Sequence, residues 1–260
     1  MNLPTTVLLG AFAGLTVMLG LPIARLRNPS RSLQAFLNAL ATGILIFLLW
    51  DILSKASEPI NAALETAKKG ETSGMLGLLV LFVVGLGLGL LGLVYFNGAV
   101  IRRGKNAGGA SPSQLSLMIA TGIGLHNFSE GLAIGQASRT GAIELATILI
   151  IGFGLHNLTE GFGIAAPLTA GPRPSWAFLG LAGLIGGGPT FVGTILGYSV
   201  QSTPAFVFCL ALAAGSIIYV VSELLHVGRR FQVPELATWG LFLGVLAGYG
   251  TDLILTWAGA

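Results

Sequence analysis

Gly124-Leu-His-Asn-Phe-Ser-Glu-Gly-Leu-Ala-Ile134 is echoed 30 residues later by Gly154-Leu-His-Asn-Leu-Thr-Glu-Gly-Phe-Gly-Ile164. Both copies lie in strongly apolar surroundings, one membrane crossing apart. Each places a histidine and a glutamate four positions apart, so on a helix the two side chains share a face. Two of the three histidines in the chain are spent here. An ionisable group at the centre of a membrane helix costs roughly 2.5–3.5 kcal/mol on insertion scales, so such groups mark a site or a pathway.

Working outward, the composition supports a membrane setting. Hydrophobic residues make up 53% of the 260 and charged residues only 9%, with a mean hydropathy of +0.85. A soluble domain carries about 25% charged residues. Apolar runs recur at 5–24, 34–54, 75–98, 115–136, 142–166, 175–198, 204–226 and 236–257. They predict an all-α polytopic protein of eight transmembrane helices, forming a single transmembrane domain over 1–260 with the lipid bilayer as its surroundings. Polar, glycine- or proline-bearing connectors separate the runs. The longest, 55–74, is expected to be an external loop, with room for a short amphipathic helix. The 39 glycines suit helices whose backbones approach closely. Met1–Gly20 lacks a basic leader, and Arg25, Arg27 and Arg31 follow its apolar stretch, as in a first span.

The basic residues set an expected orientation. Loops after the odd-numbered spans hold Arg25, Arg27, Arg31, Arg102, Arg103, Lys105, Arg173, Arg229 and Arg230; the other side holds Lys55, Lys68, Lys69 and Arg139. Nine against four predicts both termini outside. The net charge of +3 is thus loop charge, and no nucleic-acid partner is expected. The single cysteine, Cys209, excludes an intramolecular disulfide and a multi-cysteine metal cluster.

Imidazole and carboxylate together suit zinc and its divalent neighbours, and i, i+4 spacing lets one helix offer two ligands to one ion. His126, Glu130, His156 and Glu160 are the candidate ligands, with Asn127 and Asn157 placed to add a carbonyl oxygen or orient a neighbour. Gly131 and Gly161 remove bulk beside each glutamate and permit close helix contact. Asp51, and Glu223 with His226, are secondary pathway candidates near the ends of the second and seventh spans.

The repeated phrase resembles that of the ZIP (Zrt/Irt-like) divalent metal transporters, most of all their prokaryotic GufA-like branch, whose fourth and fifth helices carry His-Asn-x-Pro-Glu-Gly twice. Ala213-Ala-Gly-Ser-Ile-Ile-Tyr-Val-Val-Ser-Glu223 is similar to the seventh helix of that family. The resemblance implies a 3+2+3 bundle with inverted symmetry, transport-site ligands at His126, Glu130, His156 and Glu160, and Asn127 and Asn157 adjacent. Ser129 and Thr159 replace the usual prolines, and Gly188 stands before Pro189 where many relatives have a glutamate completing a second metal position. One well-formed site and a weakened or absent second are therefore expected. The 102–114 loop also lacks the histidine cluster common in relatives.

The expected function is uptake of a divalent cation, Zn2+ first and Fe2+, Mn2+, Co2+, Cd2+ or Ni2+ as alternatives, across a prokaryotic plasma membrane by alternating access. The reading leaves a homodimer open. The rivals are a metal-dependent membrane enzyme and a metal-binding membrane protein that does not transport. The sequence lacks His-Glu-x-x-His, and neither repeated phrase has the Glu-x-x-His order of di-iron bundles. No resident cofactor is expected.

Overall fold

The computed structural model describes the chain except residues 27–29, 104–110, 140, 142, 201 and 258–260. It also leaves out the side chains of 96, 97, 99–103, 143–145, 148, 149, 155, 156, 159 and 255. Among the described residues every regular element is helical: α1 (Leu3–Leu15), α2 (Val17–Gly20), a 3-10 turn Leu21–Arg25, α3 (Arg31–Ala67), α4 (Ser73–Arg103), α5 (Pro112–Arg139), α6 (Ile143–Ala165), a 3-10 turn Ala166–Ala170, α7 (Trp176–Ser199), α8 (Thr203–Arg229) and α9 (Pro234–Trp257).

The helix starts are written locally. The side chains of Asn2, Ser30, Ser175 and Ser202 each accept from a backbone N–H of the following turn. At α5, Ser111 N–H donates to Gln114 Oε1 at 2.8 Å and Gln114 N–H to Ser111 Oγ at 3.2 Å, a reciprocal capping box ahead of Pro112. The first apolar run is interrupted at Thr16, whose hydroxyl returns to the Ala13 carbonyl at 2.7 Å.

Among the described residues six stretches are long and apolar enough to cross a membrane by length and composition: Leu3–Arg25, Arg31–Ala67, Ser73–Tyr95, Trp176–Ser199, Thr203–Arg229 and Pro234–Ile254. They coincide with six of the eight expected spans; several side chains of α6 lie outside the described residues. Leu8, Phe12, Val80, Leu184 and Leu246 stand exposed on the outer helices, as lipid-facing residues do. The chain is an all-helical, multi-pass membrane protein.

The expected external loop at 55–74 is corrected. α3 continues through Pro59 to Ala67, 37 residues in all, or about 55 Å at 1.5 Å per residue against a hydrocarbon core of about 30 Å. Ala56, Ala62, Ala63, Leu64 and Glu65 are strong helix formers and carry the helix past one proline. The turn at Gly70, with φ of 107°, ends it.

Cross-links at the helix ends show how the rods alternate. At one end, an Arg25 guanidinium N–H donates to the Pro174 carbonyl, and the same guanidinium lies 4.5 Å from the Trp176 ring centre. Asn38 near the start of α3 donates to the Leu224 carbonyl near the end of α8 at 3.0 Å, so α3 and α8 are antiparallel. At the opposite end Tyr198 donates to the Met1 carbonyl at 3.2 Å and accepts from Arg139 through its own carbonyl at 2.9 Å. Both the start of α1 and the end of α9 fall at this second end.

Four parallel pairs of rods share one packing device. Gly20 of α2 faces the Leu158 carbonyl of α6, while Gly161 faces Val17 O. Gly131 of α5 faces Thr190 O of α7, and Gly193 faces Phe128 O. Gly43 of α3 meets Leu241 O of α9, and Gly244 meets Leu40 O; Gly89 of α4 meets Leu212 O of α8, and Gly215 meets Leu86 O. In each pair a glycine touches the carbonyl three residues before its partner glycine, and the contact is reciprocal. A Cβ at any of these eight positions would overlap backbone. Such approach lets helices pack by dispersion and Cα–H···O contacts where lipid supplies no hydrophobic drive.

Candidate metal centre

The motif glycines bring the motifs inward. Gly131 locks α5 to α7 and Gly161 locks α6 to α2, as the sequence suggested. With those contacts fixed, the residues just before each glycine turn into the bundle: His126 is 3% exposed, Asn127 0%, Glu130 5%, Asn157 0% and Glu160 1%. Polar groups at such depth demand partners.

Within the first motif, His126 Nε2 lies 3.2 Å from Glu130 Oε1, one helical turn on. Between the motifs, the Asn127 amide donates to Glu160 Oε2 at 2.9 Å and to the Gly186 carbonyl of α7 at 3.1 Å. Asn157 donates to the Ala13 carbonyl of α1 at 3.0 Å. Three further acceptors, Asn127 Oδ1, Asn157 Oδ1 and Glu130 Oε2, are buried with no hydrogen bond among the described residues. Glu160 lies within Coulombic reach of both His126 and Glu130.

His126, Glu130, Glu160, Asn127 and Asn157 are therefore gathered at the contact of α5 and α6. No group of three or more His, Cys, Asp or Glu side chains among the described residues is already spaced as a metal cluster. The side chains of His156 and Thr159 lie outside the described residues. The donor chemistry, imidazole with carboxylates and amide oxygens, suits a borderline divalent ion.

Ser129 stands where the resemblance expects proline. Its hydroxyl donates to the His126 carbonyl at 2.6 Å, a back-bond of the kind that bends helices.

Gly188 lies on the side of α7 that carries Leu181, Leu184 and Val192, which are 51%, 55% and 47% exposed. Nothing lies within 4 Å of where its Cβ would be. The α7 atom that meets the motif residues is instead the carbonyl of Gly186.

The secondary candidates separate. Asp51, with a side chain 14% exposed, is bridged by Lys55 at 2.7 Å. Glu223 is partly buried near the end of α8. His226 is exposed and accepts from Arg230 at 2.9 Å through Nε2. The packing of Asn38 on Leu224 puts that α8 terminus beside the start of α3, away from Asp51. Gly186 is a participant the sequence reading missed, and a backbone carbonyl leaves no signal in the sequence.

Residues 101–250 match the family model described as ZIP zinc transporter. Over 163 residues the chain is 32% identical to zinc transporter ZIP6 of Homo sapiens, and by the same measure to zinc transporter ZIP6 of Pongo abelii. Those alignments take in 58% of this chain and 21% of each relative, so the chain spans about a fifth of the length of the curated relatives it matches. The matched segment holds both repeated phrases and α7 and α8, and it places the chain in the ZIP zinc transporter family.

Proposed function

We propose that this protein carries divalent transition-metal cations, zinc first, through a site formed by His126, Glu130, His156 and Glu160 with Asn127 and Asn157. The observation that carries the reading is the bond from Asn127 of the first motif to Glu160 of the second, inside a buried cluster that also holds His126 and Glu130. An ion arriving there exchanges its water shell for imidazole, carboxylate and amide oxygen. The acceptors of Glu130, Asn127 and Asn157 that have no hydrogen bond among the described residues supply part of that shell. Binding needs a proton-free imidazole nitrogen and ionised carboxylates, so loading the ion releases protons.

Alternating access is supported by the packing. The reciprocal glycine contacts of α2 with α6 match those of α7 with α5, and those of α3 with α9 match those of α8 with α4. Exchanging these pairs swaps the first three rods with the last three and α5 with α6, as a 3+2+3 inverted repeat requires. The motif helices then sit between two like halves that rock around the ion. The outward position of Gly188 supports one principal site.

The loop charges, nine against four, favour uptake into a cytoplasm with both termini outside. The short loops and the repeated phrase favour a prokaryotic plasma membrane and the GufA-like branch. The test is uptake of radioactive zinc into proteoliposomes by the wild type and by His126→Ala/Glu160→Ala. Flux that collapses in the folded variant supports the reading. Unchanged flux overturns the site, and zinc binding without wild-type flux overturns transport.

A further inference from the structure

α8 ends at Arg229 and α9 begins at Pro234. Between them Gln232 takes a φ of 55°, a left-handed backbone that few non-glycine residues adopt. The turn brings α9 back beside α3, and a cleft of about 460 Å³ lies between α3, α8 and α9 at this end of the bundle. That volume is within the range of about 300–1,000 Å³ usual for small-molecule sites. Its inner wall is apolar, with Ala39 of α3, Leu225 of α8, and Ala237 and Leu241 of α9. Leu241 sits two helical turns into α9, about 10 Å deeper than Pro234. Arg229 and Gln232, both exposed, form a polar mouth. Asn38 of α3 also lines the cleft. It is buried and donates to the Leu224 carbonyl at 3.0 Å, which ties α3 to α8 there. Its Oδ1, buried with no hydrogen bond among the described residues, calls for a polar neighbour.

The mouth lies at a membrane surface. Trp239 of α9 is exposed, and the exposed Trp176 stands at the same end beside Arg25; exposed tryptophans gather at headgroup level. Among the described residues Arg229 is the one charged side chain in the cleft wall, while Glu235 lines a separate hollow with Trp239 and Phe242. The cleft therefore offers positive charge at its mouth and hydrocarbon within. We propose that it holds one anionic phospholipid, with the phosphate against Arg229 and Gln232 and one acyl chain along the apolar wall. A guanidinium can meet two phosphate oxygens at once. With the termini outside, as the loop charges favour, the headgroup belongs to the cytoplasmic leaflet, whose surface is negative. The lipid site is separate from the metal centre and stands whether or not the motif residues bind the ion.

Native mass spectrometry of the full chain in detergent, titrated with dioleoyl phosphatidylglycerol or dioleoyl phosphatidylcholine, tests this. Phosphatidylglycerol should bind about fivefold more tightly, the size of one basic residue at an anionic surface. Glycerol 3-phosphate, the charge without the chains, should not compete. Arg229→Gln should erase the preference, and Arg229→Lys should keep most of it. Thr238→Trp, at an exposed position in the cleft wall, should weaken both lipids. Arg173→Gln, exposed at the same membrane surface but outside the cleft, should bind as the wild type does. Equal affinity of the wild type for the two lipids overturns the proposal. An equal loss in Arg173→Gln and Arg229→Gln overturns it in favour of diffuse surface charge. Competition by glycerol 3-phosphate overturns it in favour of a simple anion site, and unaltered binding by Thr238→Trp removes the lipid from the cleft.

Discussion

Asn127 and Glu160 belong to different copies of the same phrase, and the amide of the first donates to the carboxylate of the second at 2.9 Å across the contact of α5 and α6. The same amide also holds the Gly186 carbonyl of α7 at 3.1 Å, so one side chain ties three helices at the candidate site. An amide donor on a buried carboxylate fixes its orientation and offsets the loss of water.

Asn127→Ala leaves Glu160 Oε2 without that donor. A buried acceptor stranded in this way costs about 1–3 kcal/mol, and thermal unfolding in detergent should register it. Asn127→Asp places a second carboxylate against Glu160 and should cost more in the metal-free protein. Added zinc should recover a larger share of the stability of the Asp variant than of the Ala variant.

Gly131→Ala and Gly161→Ala each drive a methyl into backbone, at Thr190 O and Val17 O respectively. Overpacking of this kind costs about 1–3 kcal/mol, more than the 0.5–1 kcal/mol or so that alanine gains over glycine within a helix. Both variants should melt below wild type. Gly188→Ala meets open space and should match or slightly exceed wild-type stability. The comparison of the three by thermal denaturation separates close approach from glycine content.

Gly188→Glu supplies the residue many relatives carry before the proline. Because the position shares the exposed apolar face of Leu184 and Val192, the new carboxylate should leave the zinc stoichiometry unchanged. It should lower stability by up to about 2.5–3.5 kcal/mol, depending on its depth in the bilayer. A second zinc equivalent bound by this variant in calorimetry would refute the outward assignment.

Zinc affinity should fall as the medium is acidified. Protons and metal compete for the His126 nitrogen and for the carboxylates of Glu130 and Glu160, so binding weakens toward low pH. Calorimetry in buffers of different ionisation heat should show proton release on zinc binding. Release should be smaller in Glu130→Gln.

Much of the bundle was legible because a bilayer forces its signal into the sequence: a spanning segment must be apolar for its whole length and satisfy its own backbone. The breaks at Pro112, Gly171, Pro204 and Pro234 were readable for the same reason, since each marks a helix start or end. The tail of α3 was misread as a loop. Its polar composition excludes burial in lipid, but polarity does not stop a helix, and propensity carried α3 to Ala67.

The sequence by itself determined the helical, multi-pass class and offered the candidate ligands, because apolar length and the His-x-x-x-Glu spacing are local properties. Tertiary structure alone decided the reciprocal glycine contacts, the bond from Asn127 to Glu160 and the outward face of Gly188. Each depends on the rotation and depth of one helix against another. Those are fixed only when backbones close to contact distance and every buried polar group finds its partner.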